Sequence, residues 1–175
     1  MFLNFGKSSK LHAQFNLSSM KFQFTILLML LTILSSTAQQ AAETEVKQVV
    51  IDFFKGFHQK DSVAITKTLL EDFSLGTIGK NKEGAVVFKE TASADFIKNI
   101  VTIPDEVVFE EKLLSYQVAV DKYMANVWTP YEFWLNGKFS HCGVNSFHLM
   151  KTTEGWRILS IVDTRYRKDC SNSEN

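Results

Sequence analysis

At 175 residues, 45% hydrophobic and 22% charged, the chain is the size of one compact domain and shows none of the bias of disorder, collagen or repeat arrays. Its 19 Lys and Arg balance 19 Asp and Glu, so there is no basic field to condense on nucleic acid, and nucleic acid is not an expected partner. Two Pro and 15 Phe point to a core rich in aromatic volume and away from long Pro-rich linkers.

The N-terminus reads as a targeting segment. Lys21 precedes an apolar run of 13 residues, Phe22 to Leu34, followed by Ser35-Ser36-Thr37-Ala38. These are the basic, apolar and small-residue regions of a secretory signal. The run falls short of the about 20 residues that span a bilayer, so export is expected rather than anchoring. No Cys stands at the cleavage point to carry a lipid. Met20 heads a better-formed signal than Met1 does, which makes it the expected start. The rival reading, a buried N-terminal helix, is opposed by the polar Gln39-Gln40 that follow and by the lack of caps. The expected organisation is residues 1–38 as upstream segment and signal, and residues 39–175 as one periplasmic or secreted domain without a membrane span. Removing the first 38 residues leaves 16 basic against 19 acidic side chains, a net charge of −3.

From Glu43 to Gln59, Val46, Val49, Val50, Phe53, Phe54 and Phe57 form the stripe of an amphipathic helix. Asp61-Ser62 predicts a second helix start, with Val63, Ile65, Leu69 and Leu70 carrying it to about Phe73, where Gly76 and Gly79 break it. Ala85 to Lys89 reads as a short strand. Thr91 to Ile100 reads as a third helix, capped by Thr91 or Ser93 and closed by Pro104. Four long strands follow, at Val107 to Val120, Tyr123 to Leu135, Lys138 to Lys151 and Trp156 to Tyr166. Asn136-Gly137 is a type I′ hairpin signal; Asp121-Lys122 and Glu154-Gly155 close the flanking hairpins. Strands this long must curl, and the concave face needs a cover. The expected fold is α+β, a curled antiparallel sheet with three N-terminal helices on its concave face.

That order of elements resembles the nuclear transport factor 2-like superfamily, a cystatin-like cone that includes SnoaL-like polyketide cyclases and steroid delta-isomerases. Val49 to Asp61 looks like its first helix and the start of its second, with Lys60 where the family carries Gly. Gly155-Trp156-Arg157-Ile158 looks like the start of its last strand. Val127 to Phe133 with Phe139 to Phe147 looks like an exported bacterial subgroup. The resemblance implies a pocket between sheet and first helix, open at one end, and allows a homodimer. Placed on the steroid isomerases, their helix Tyr falls on Phe53, their base near Thr77 and their protonated acid on Asn145. An isomerase of that mechanism is therefore not expected, although an Asn amide can still donate to an oxyanion.

A two-residue turn at Asn136-Gly137 sets Trp128 opposite Asn145 and Glu132 opposite His141. An even last loop adds Val162 opposite Asn145 and Tyr166 opposite His141. A bulge at Pro130 would reverse the parity and bring in Tyr131 and Phe133 instead of Glu132. The expected ligand contacts are thus Trp128, Tyr131, Glu132, Phe53, Phe147 and Tyr166. His141 beside Glu132 is the candidate general acid or base, and Asn145 the candidate oxyanion donor. His58 reads as a cation at a helix C-terminus. Asp163 and Arg165 share a face and suit a solvated ion pair or an anion contact. Trp134 and Trp156 suit core or subunit packing. No His-x3-His or Cys-x2-Cys spacing exists, so neither metal nor cofactor is expected.

Cys142 and Cys170 suit a disulfide in an exported chain. An extended tail opposes it: with Cys142 facing Arg165, Cys170 would lie about 16 Å away unless the tail folds back. Three readings stand at this point. One is an exported domain binding a small, largely apolar molecule. Another is an isomerase, cyclase or dehydratase-type enzyme using His141 and Asn145. The third is a homodimeric interaction module.

Overall fold

A computed structural model describes residues 17–168 and Cys170, with the backbone alone for residues 17–37. The chain divides into two units, Met1–Ala38 and Gln39–Asn175, and the sheet lies wholly in the second. Residues 1–16, upstream of the expected start, lie outside the described residues. Helix α1 (Leu17–His58) runs through the expected cleavage point without a break. In its C-terminal part Val46, Val50, Phe53 and Phe54 are buried, as the apolar stripe requires.

Helix α2 (Ser62–Thr66) starts where expected, because Asp61 Oδ1 accepts from Val63 N at 2.9 Å and Ala64 N at 3.0 Å. It ends one turn later, not at Phe73. Leu69–Lys80 is strand β1, which pairs in parallel with the last strand of the chain. Gly76 and Gly79 lie inside that strand and break nothing. The pairing overrides local helix preference because it gives the backbone a partner some 86 residues away in sequence, exemplified by Thr77 beside Asp163.

Strand β2 (Val86–Thr91) folds back on β1, and α3 (Ser93–Val101) follows. Neither Thr91 nor Ser93 caps α3. The capping position is Ala92, extended and without a side-chain cap, and Thr91 is occupied in the ladder opposite Leu75.

The expected strand Val107 to Val120 is two strands, β3 (Phe109–Leu113) and β4 (Gln117–Val120), both on one edge of β5 (Met124–Leu135). Pro130 explains the break. Its carbonyl accepts from Leu114 N at 2.9 Å, so its missing N–H also faces that edge and interrupts the ladder there. The other edge of β5 passes Pro130 in register with β6 (Lys138–Thr152), Pro130 opposite Val144.

Asn136 (φ 48°) and Gly137 (φ 74°) are both left-handed, as a type I′ turn demands. The next hairpin turns on Thr153 and Glu154, with Gly155 (φ 113°) opening β7 (Gly155–Arg165). The sheet order is β2-β1-β7-β6-β5-β3, antiparallel except for β1 with β7, and β4 also pairs with β5. It is curled and unclosed, with helices packed on one face. The α+β architecture is the expected one. Its core joins Val46, Val50, Phe53 and Phe54 of α1 to Val127, Phe147, Leu149 and Ile158 of the sheet.

Cys142 and Cys170 form a disulfide with Cα atoms 5.9 Å apart. The extended-tail estimate failed for two reasons. Cys142 pairs with Tyr166 and not with Arg165, and the chain bends at Arg167 and Lys168 instead of running on.

Candidate functional site

One departure from regular pairing decides which side chains meet. Trp134 pairs with Phe139 but Phe133 pairs with His141, so Ser140 is an extra residue in β6. Beyond this bulge His141, Gly143, Asn145 and Phe147 turn to the helix-covered face opposite Phe133, Tyr131, Thr129 and Val127. The strands then align a polar row across that face. Lys89 on β2 is opposite Thr77 on β1, Thr77 beside Asp163 on β7, Asp163 opposite Asn145 on β6, and Asn145 opposite Thr129 on β5.

The row is hydrogen-bonded internally. Thr77 Oγ1 donates to Asp163 Oδ1, and the Tyr131 hydroxyl lies 3.2 Å from Asp163 Oδ2 and 3.0 Å from the Thr164 carbonyl. Arg165 Nη2 lies 3.4 Å from Asp163 Oδ2. Asn145 Nδ2 donates to Glu111 Oε1 at 2.7 Å. Glu111 is held from behind, its backbone N donating to His58 Nε2 at 2.9 Å. His58 therefore serves as a neutral acceptor, not a helix-end cation, and burial lowers its pKa. Tyr131 crosses Gly143, where a Cβ would lie 3.0 Å from its ring and 1.8 Å from the Thr164 carbonyl oxygen. Only glycine allows that approach.

Above the row lies a cavity of about 980 Å³, at the upper end of the roughly 300–1,000 Å³ of ligand pockets. Its walls are largely aromatic. Phe53 stacks with Phe57 and Phe96 at centroid distances of 6.1 and 6.2 Å and meets Phe147 edge-on at 5.8 Å; Phe109 stacks on Phe133 at 6.0 Å.

Two groups in the cavity titrate far from their ordinary values. Desolvation raises the Glu111 carboxyl to about 7, opposed by the Asn145 hydrogen bond and reinforced by the Asp163 charge. His141 moves the other way, to about 4, through burial and then the charges of Arg165 and Arg167. Its ring stacks on Phe133 at 4.8 Å, with Nδ1 3.1 Å from Ser140 Oγ. Burial also raises the Tyr131 phenol, which stays protonated. Near neutral pH the Glu111 carboxyl is therefore close to its midpoint, while the His141 ring is neutral. Among the described residues no three His, Cys, Asp or Glu side chains are grouped to hold a metal.

No protein-family model and no curated protein matches the chain. Solved structures do. A protein from Novosphingobium aromaticivorans with an NTF2-like, cystatin-like fold superposes at TM-score 0.60 and 13% identity, over 79% of this chain and 91% of that one. A protein of unknown function from Mycobacterium tuberculosis matches at 0.60 and 13%, over 80% of each chain. A candidate dehydratase of the NTF2-like family from Streptomyces avermitilis matches at 0.56 and 12%, over 73% of this chain and 97% of that one.

The chain has the NTF2-like, cystatin-like fold.

Within this NTF2-like fold, the residues named from sequence sort by the Ser140 bulge. His141, Asn145, Phe53, Phe147 and Tyr166 line the cavity. Tyr131 lies beneath it, buried against Asp163. Trp128 and Glu132 are on the other face, Trp128 exposed and opposite Ser146, Glu132 opposite Cys142 and accepting from Trp134 Nε1 at 3.0 Å. The expected His141–Glu132 pair does not exist. Tyr166 faces Cys142 and not His141, and Asp163, not Val162, faces Asn145. Asp163 is buried while Arg165 is half-exposed, so the pair is solvated only on the arginine side. Glu111 was missed. Its signal was available: Phe109, Glu111 and Leu113 share one face of a strand, which places an acid in the middle of an apolar row.

Proposed function

We propose that the protein is an exported binding domain that encloses a small, largely apolar molecule, held by the phenylalanine walls and oriented by the polar row. The observation that carries this reading is the cavity itself, about 980 Å³ with its aromatic lining kept open above a satisfied polar floor. The signal-like N-terminus supports export. So does the Cys142–Cys170 disulfide, since such bonds persist in oxidising compartments. The test is native mass spectrometry on protein purified from cells expressing the full chain, before and after mild denaturation. A small molecule released only on unfolding is the expected result, and the same spectra count subunits. The reading fails if Phe53→Trp and Phe147→Trp, which enlarge the aromatic wall and narrow the cavity, leave both the retained mass and the binding of a panel of apolar compounds unchanged.

Glu111 supports a second reading, proton transfer on a carbonyl compound. It assigns the acid/base role to Glu111 in place of His141, whose low pKa leaves a weak base at neutral pH. The Glu111 carboxylate would take a proton from the carbon beside the carbonyl. The second N–H of Asn145 would donate to the enolate oxygen, and the proton would return from the protonated Glu111. Deuterium uptake by ketones in D2O, abolished by Glu111→Gln, is the expected signature; uptake that persists in that variant rejects the assignment.

A further inference from the structure

The exposed and buried parts of the cavity lining differ in charge. The two acids in the lining, Glu111 and Asp163, belong to the hydrogen-bonded floor. The exposed lining residues include four cations, Lys80, Lys89, Arg165 and Arg167. In a chain with zero formal net charge, this grouping does not follow from composition. It follows from topology. Thr77 lies between Lys89 and Asp163, and Gly79 between Val87 and Arg165, so the ends of β1, β2 and β7 bring the cations to one end of the sheet. Among the described residues Lys80, Lys89 and Arg167 form no ion pair, while Arg165 is half-exposed and pairs with Asp163 at 3.4 Å. Cations grouped at one mouth create a positive potential that attracts an anion between them. Their field also bears on the cavity, since Arg165 and Arg167 both hold His141 below its ordinary pKa.

We propose that the bound molecule is an amphipathic anion, its apolar body among the phenylalanines and its carboxylate, sulfate or phosphate head at the mouth between Lys80, Lys89, Arg165 and Arg167. The proposal rests on the binding reading above and narrows it to a ligand class. It separates the two ends of the ligand energetically. The body supplies most of the affinity through apolar burial. The head supplies selectivity through solvent-exposed charge contacts, together about a tenfold preference over a neutral head at low salt.

The test uses calorimetric titration of protein from cells expressing the full chain with decanoate, decyl sulfate, 1-decanol and decyltrimethylammonium, each below its micelle concentration. Expected are anions binding about tenfold tighter than 1-decanol at 20 mM salt, and a gap that closes at 1 M salt, where the screening length falls to about 3 Å. The double variant Lys89→Gln, Arg167→Gln should weaken anion binding about fivefold and leave 1-decanol unchanged. The two anions also separate carboxylate from sulfate chemistry. Equal affinity for decanoate and 1-decanol, tighter binding of the ammonium compound, or a double variant without effect overturns the proposal while leaving the binding reading intact. Binding of none of the four overturns both.

Discussion

Substituting Glu111→Gln removes one ionisable group while keeping an oxygen for Asn145 Nδ2, which donates to Glu111 Oε1 at 2.7 Å. The Glu111 carboxyl is raised from 4.5 to about 7, chiefly by desolvation. A carboxyl raised on folding binds its proton more tightly in the folded state. The wild-type protein therefore has this group's full contribution below pH 4.5, loses it as the pH rises to about 7, and lacks it above. At about 1.36 kcal/mol per pH unit the loss amounts to about 3 kcal/mol, an upper value because Glu111 is only half-buried beside an open cavity. The Gln variant should match wild type at pH 4 and exceed it by up to about 3 kcal/mol at pH 8. Urea unfolding at four pH values measures the difference, and other carboxylates cancel in the comparison. A carbon-13 titration of the Glu111 carboxyl gives the pKa directly. A gain that is equal at every pH, or a carboxyl titrating near 4.5, refutes the desolvation argument.

Gly143→Ala should cost about 3 kcal/mol or more, read by the same unfolding assay, because its Cβ would lie 1.8 Å from the backbone oxygen of Thr164 and force β6 from β7. Reducing Cys142–Cys170, 28 residues apart, should lower stability by about 3–4 kcal/mol on loop-entropy grounds; unfolding with and without reductant measures it. Asp61→Ala should cost about 1 kcal/mol, since it deprives Val63 N and Ala64 N of their acceptor, and Asp61→Asn should recover most of it.

How much of this was legible depends on the distance over which each signal acts. The α1 stripe and the Asn136-Gly137 turn are local, written within a few residues, and both were readable. Strand β1 was not, because its defining partner is β7, and a parallel pair separated by most of the domain leaves no turn between its members. Pro130 was weighed as a bulge that would reverse the parity with β6, but its missing N–H faces β3 and β4, so the register with β6 survives. The bulge that sorts the site is at Ser140, a residue with no special backbone chemistry. Nothing in the sequence marks it, and with it Trp128 and Glu132 went to the wrong face. The Cys142–Cys170 bond stayed open in the sequence because a strand continuing straight after its last partner would separate the two.

The position of β7 has a consequence for how the chain is made. Among the described residues it is the last strand in sequence, yet in the sheet it lies between β1 and β6, and it alone joins the β1–β2 hairpin to the remaining strands. Until Gly155–Arg165 leaves the ribosome, the two parts of the sheet have no shared edge, and Thr77 and Asp163 cannot meet. Joining of the two parts must therefore follow synthesis of β7, with this long-range closure slow relative to the local hairpins. Such an order leaves the two halves of the sheet with unpaired edges until β7 is available to join them.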